Sequence, residues 1–170
     1  MKDVMSFNAA VSAYLREPVA ANWLPVRAQI VGAPGFGPNA GVNPAVGPML
    51  AGGEYRRAID YIESRMPAQF LNPMAHVLLA TAHRRLGDDR RADAQLRLAR
   101  IAHHAIADSG DGSAQAPYHV LRVEDEYGFL QVAGLVSRVQ YTRPSPLGGV
   151  LDVHDCGTGN PVYFSLEEAR

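Results

Sequence analysis

The apolar residues of this chain change their period at "SGDG", residues 109–112, and this change constrains the fold more than any other feature. Before it they recur roughly every 3.6 residues, the repeat of an amphipathic helix; after it they alternate, as in a strand with one buried face. A helical part, 1–110, is therefore expected to precede a small strand-bearing part, 111–170. The expected fold class is α+β, mainly α: tetratricopeptide-like helical hairpins followed by a small α/β cap with three or four short strands. A chain of 170 residues is long enough for a proper core, and the cap is expected to pack on the helices as one cooperative unit.

Val4, Phe7, Val11, Tyr14 and Leu15 fall at helical spacing and predict a first helix that stops before Pro18. "ANWLPVRAQIV" predicts a second, capped by Asn22 with Pro25 in its first turn, and with Trp23, Leu24, Ala28, Ile30 and Val31 on its buried side. The Gly/Pro-rich segment 32–48 is expected to be a loop over the helices, with a short helical turn near Pro44 to Leu50. Tyr55, Ala58, Ile59, Ile62 and Met66 share the face of another helix. Asn72 and Pro73 start the next as cap and first residue, Gly87 ends it, and Asp88 opens a long one. Gly53, Tyr55 and Ala58, together with the Leu86-Gly87-Asp88 to Ala92 pattern, resemble degenerate tetratricopeptide repeats, too few for a long solenoid. Beyond Gly110, "YHVLRV", "LVSRVQYT", "GGVLDVHD" and "NPVYFSL" read as strands, and "EDEYGFLQVAG" as one short helix.

Composition excludes several classes. Apolar residues make up 47% and charged residues 19% of the chain, which excludes global disorder, and a net charge of −1 gives no field to draw the whole molecule to nucleic acid or an anionic membrane. Cys156 is the only cysteine, so neither an internal disulfide nor a cysteine-rich zinc module is available. The start, "MKDVMSFNAAVSAYLREP", alternates polar and apolar residues unlike a signal peptide, and no apolar run reaches the ~18 residues of a membrane span. A soluble, cytoplasmic protein is expected.

Candidate chemistry is sparse. Asp108, Asp111, Glu124, Asp125 and Glu126 offer oxygen ligands, but not at calcium-loop spacing. Gly110 and Gly112 around Asp111 suit a turn, with Asp111 bonding backbone two residues on. Glu124 to Glu126 suit a helix N-terminus, where the dipole favours negative charge, and Tyr127 suits a partly buried anchor. His76 and His83 stand seven apart on one helix, too far for one ion. His103 and His104 diverge by about 100°, so no metal site is expected. Asp152, His154 and Cys156 share one face of a strand, and a small hydrolase using them is one alternative. Their spacing of roughly 6–7 Å is too long for a nucleophile–base bond. Arg90, Asp93, Arg97, Arg100 and His104 form a polar stripe along the long helix. It reads as a solvated face, with Asp93 paired to Arg97, as a cationic ledge for an acidic protein, or as a weak nucleic-acid binder.

The segment "SGDGSAQAPYHVLRVEDEYGFL", with "VQY" at Gln140, "LDVHD" and the closing "VYFSL", resembles the bacterial family called Domain of Unknown Function 4919. Gly110, Asp111, Gly112, Glu126 and Tyr127 carry that signature. The resemblance implies a repeat-like helical half with a small α/β cap, and supplies no catalytic residues. The expected function is a non-enzymatic protein–protein interaction module of bacterial type, one version being an immunity or adaptor protein of a toxin or secretion system. Its partner is another protein, with Arg90, Arg97, Arg100 and His104 as the contact residues, and no cofactor is called for.

Overall fold

The computed structural model describes residues 6–166 and contains seven helices followed, from residue 118, by a four-stranded mixed sheet interleaved with the last helix. The helices are α1 (Phe7–Arg16), α2 (Ala20–Val31), α3 (Asn43–Ala51), α4 (Tyr55–Glu63), α5 (Pro73–Arg85), α6 (Asp89–Ala107) and α7 (Val123–Val132). The strands are β1 (Tyr118–Val120), β2 (Val139–Pro144), β3 (Val150–Asp155) and β4 (Val162–Leu166). The sheet order is β1-β4-β3-β2, with β1 parallel to β4 and the other pairs antiparallel. The fold class is α+β, mainly α, as expected.

Local signals explain the best-placed elements. Asn72 caps α5, its Oδ1 accepting from Met74 N and Ala75 N, while Pro73 occupies the first helical position without losing a bond. Asp88 caps α6 through Arg91 N, and α5 and α6 pack along each other as a hairpin. The "SGDG" loop is a built turn. Ser113 N donates to Asp111 Oδ1, Asp111 N and Gly112 N both donate to Ala116 O, and Tyr163 N donates to Gly112 O, docking the loop on β4. Gly112 has φ of +76°, and a Cβ there would meet the Tyr118 ring at 2.6 Å, so no other residue fits.

Three expectations are corrected. The second helix begins at Ala20 after the extended Val19, so Asn22 is not its cap but donates its side-chain amide to Glu17 O, and Pro25 lies inside the helix. That start puts Val26 and Ile30 into the core, leaving Leu24 and Ala28 exposed and Trp23 and Val31 half-buried, and Leu15 of α1 is exposed too. Val4, expected on the first helix, lies outside the described residues. On α6, Asp93 pairs with Arg84 of α5 at 2.9 Å rather than with Arg97, because the hairpin brings α5 alongside. The deepest α6 residues are Ala92, Ala99, Ala102 and Ile106, with Leu98 and Ile101 only half-buried.

The core has three clusters. One joins α3, α4 and α5 around Val46, Ile62 and Leu79; one joins α1, α2 and α6 around Tyr14, Ile30 and Ala102. The third seats α6, α7 and the sheet on Phe129, Leu130 and Phe164. Helix α7 packs on α5, α6 and β1, so residues after 110 are integral to the helical bundle. Among the described residues, no helix is long and apolar enough to cross a membrane.

Candidate binding surface and the acidic hub behind it

Four consecutive residues at the start of α7 hold the molecule together. Glu124 reaches across to the Gly/Pro-rich segment, its carboxylate accepting from Val42 N at 2.9 Å and Asn43 N at 2.7 Å, so it caps α3 from a distant part of the chain. Asn72 donates its side-chain amide to the same carboxylate and to Gln69 Oε1, while Gln69 donates to Ala40 O. Glu124 thus supplies the cap that Val42 cannot. Asp125 accepts from Leu121 N and Arg122 N and pairs with the fully buried Arg122 guanidinium at 3.2 Å. Burial drives the Asp125 carboxyl up to about 6, with Arg122 pulling the other way. Arg122 also lies over the Phe36 ring, pinning the early loop.

Glu126 and Tyr127 hold the sheet. Glu126 Oε2 lies 2.8 Å from His154 Nε2, and His154 Nδ1 lies 2.8 Å from Ser137 Oγ. Tyr127 donates to Gln140 Oε1 on β2 and meets the His154 ring edge-on. Glu126 and His154 are completely enclosed. Burial, reinforced by the neighbouring Asp152 carboxylate, raises Glu126 to about 9, and burial lowers His154. At neutral pH both are therefore uncharged. Both imidazole nitrogens of His154 thus face hydrogen-bonding partners, Glu126 at Nε2 and Ser137 at Nδ1.

The residues of the hydrolase alternative have other neighbours in this fold. His154 spends both nitrogens on Glu126 and Ser137, while Cys156 packs among Ile106, Val120, Phe129 and Phe164 with its thiol pushed up by burial. Asp152 serves Glu126's environment rather than a nucleophile. His76 is likewise internal, between Gln95 and Phe70 O. His83 is buried, and His103 stacks on Phe129 at 4.4 Å.

What the hub presents outward is the β2–β3 hairpin. β2 is an edge strand with all six residues exposed and, among the described residues, one side of its backbone ladder open. Val139 and Tyr141 on it are about half exposed, at 54% and 45%, and Val136, Leu147 and Val150 beside it are more so. The opposite edge, β1, has only three residues and lies against α6. A cleft of about 490 Å³ along β2 is lined by Val139, Tyr141, Asp155, Gly157, Gly159 and Pro161. The α6 stripe also faces solvent: Arg90, Arg97, Arg100 and His104 are exposed, and the three arginines have no ion-pair or hydrogen-bond partner among the described residues. With Asp93 turned to Arg84, this stripe is more purely cationic than its sequence suggests.

The long-range roles of Glu124, Arg122 and Ser137 are invisible at their own positions. One signal did exist: α3 starts behind Val42, a residue unable to cap, so a donor-rich helix start lacked a local acceptor. No family model matches the chain, and no curated protein or solved structure matches it either.

Proposed function

We propose that this protein is a non-enzymatic protein-binding module whose cap receives an extended segment of a partner along β2. The open, apolar-flanked edge of β2 carries the reading. An unpaired ladder satisfies an extended chain through main-chain bonds, and exposed Val139 and Tyr141 offer side-chain contacts beside it. Soluble proteins ordinarily shorten or cover such edges, as β1 is here. The Arg90/Arg97/Arg100 ledge is the second surface, suited to acidic flanks of the same partner, with steering falling as salt rises.

The rest of the expected setting belongs to this proposal: membership of Domain of Unknown Function 4919, tetratricopeptide kinship of the helices, a bacterial cytoplasm, and an adaptor or immunity role. The family reading rests on the quoted signature alone.

The test is capture from native lysate with wild type, with Val139→Lys/Tyr141→Lys, and with Arg90→Glu/Arg97→Glu/Arg100→Glu. Any captured protein is then mapped with short synthetic peptides. Edge charges should abolish binding with the fold intact, and an extended peptide should reproduce it. Loss only in the arginine variant transfers the site to α6. Equal competition by RNA or DNA with a steep salt slope replaces the protein partner by nucleic acid. Dimerisation removed by the edge variant makes the occupant a second copy.

A further inference from the structure

A pocket of about 160 Å³ opens where α1, α2 and the C-terminal end of α6 meet. Its lining is Tyr14 of α1, Pro18 and Val19 of the link, Trp23 of α2, and Ala105, Asp108 and Ser109 at the end of α6. We infer that this pocket binds a small alkylammonium ion, with its alkyl part on Pro18, Val19 and Ala105 and its charge between Asp108 and the aromatic rings.

Four observations select a cation. Asp108 is the only charged residue in the lining, and it is exposed, its carboxylate making no hydrogen bond or ion pair among the described residues. The pocket also lies at the C-terminus of a 19-residue helix, whose terminal carbonyls give that end negative partial charge. Tyr14 offers a phenol oxygen able to accept from N–H, its pKa pushed up to about 12 by burial and then by Asp108. Trp23 provides the indole, the side chain best suited to cation–π contact. Arg27, outside the lining, already lies 5.6 Å from that ring centroid, so the indole accepts a cation while a like charge stands nearby. Modest affinity follows, with Kd on the order of 1 mM for a five-atom ligand. An anion would meet Asp108 and the helix terminus, and a purely neutral ligand would leave that carboxylate without a partner.

The chain contains one tryptophan, so Trp23 reports the site directly. The probes are n-butylammonium, n-butanol and butyrate at constant ionic strength, read by tryptophan fluorescence and by the indole Nε1–H resonance. Saturable binding of n-butylammonium is expected at least about tenfold tighter than of butanol, with no saturable response to butyrate. Asp108→Asn, at an exposed position, should reduce the ammonium to the alcohol's level. Nα-acetyl-lysine methylamide separates the sources. Binding as tight as butylammonium marks a lysine side chain presented by a polypeptide, and exclusion marks a free amine. Equal binding of alcohol and ammonium, an ammonium response unchanged in Asp108→Asn, or no saturation overturns the assignment. The pocket is remote from β2, so Val139→Lys/Tyr141→Lys should leave this titration unchanged whatever becomes of protein binding.

Discussion

The two sides of α7 solve the same problem with the same side chain and opposite surroundings. Toward the helical half, Glu124 meets donors: Val42 N, Asn43 N and the Asn72 amide. Toward the sheet, Glu126 meets an imidazole and a second carboxylate, and one of its own oxygens, Oε1, is buried without a hydrogen-bond partner. The first carboxyl is a cap that completes other helices, and the second is a proton-bearing pin. A carboxyl enclosed among acids makes a join that depends on keeping a proton.

Breaking the donor-rich side should have the largest effect. Glu124→Ala leaves Val42 N–H without an acceptor and takes one of the two acceptors from the Asn72 amide, which keeps Gln69 Oε1, at about 1–3 kcal/mol each, so a loss of about 2–6 kcal/mol is expected in urea unfolding. A loss below about 1 kcal/mol would remove Glu124 from the account of how the halves are joined.

The acid-rich side is sharpened by pH. Glu126 is raised in the fold, so its contribution is complete below about 4.5 and lost as pH rises towards about 9. His154 is lowered, so its contribution is present above about 6.5 and lost as pH falls. Between pH 6.5 and 9 only the Glu126 effect of this pair remains, and stability should fall by up to about 1.4 kcal/mol per pH unit. Glu126→Gln keeps the shape without a titrating proton and should flatten that slope. An equal slope in the variant would mean that Glu126 is ionised throughout.

The smallest effect concerns how closely the helices meet. Gly128 faces α5, where an added Cβ would stand 2.7 Å from Met74 N. Gly128→Ala gains about 1 kcal/mol of helix propensity and loses about 1–3 kcal/mol by overpacking, so a net loss of about 1 kcal/mol is expected in thermal unfolding. A more stable variant would show that α7 can move off α5, and the two sides would then be less tightly coupled than their contacts imply.

Where the sequence spoke, it spoke through local rules. Asn72-Pro73 and Asp88 marked helix starts because caps act within three residues, and the period change after Gly110 announced the strands because side-chain alternation is a property of the strand itself. Gly112 and Asp111 were legible as a turn for the same reason. The start of α2 was not, since Asn22 and Pro25 make a plausible cap that the extended Val19 pre-empts. Only the tertiary structure decided that Arg97 loses Asp93 to Arg84, and that β2 is left open while β1 is tucked away. Nor could adjacency tell Glu124 from Glu126. One step along the chain turns a side chain about 100° around the helix, and what each carboxyl then meets is chosen by residues as distant as Val42 and His154.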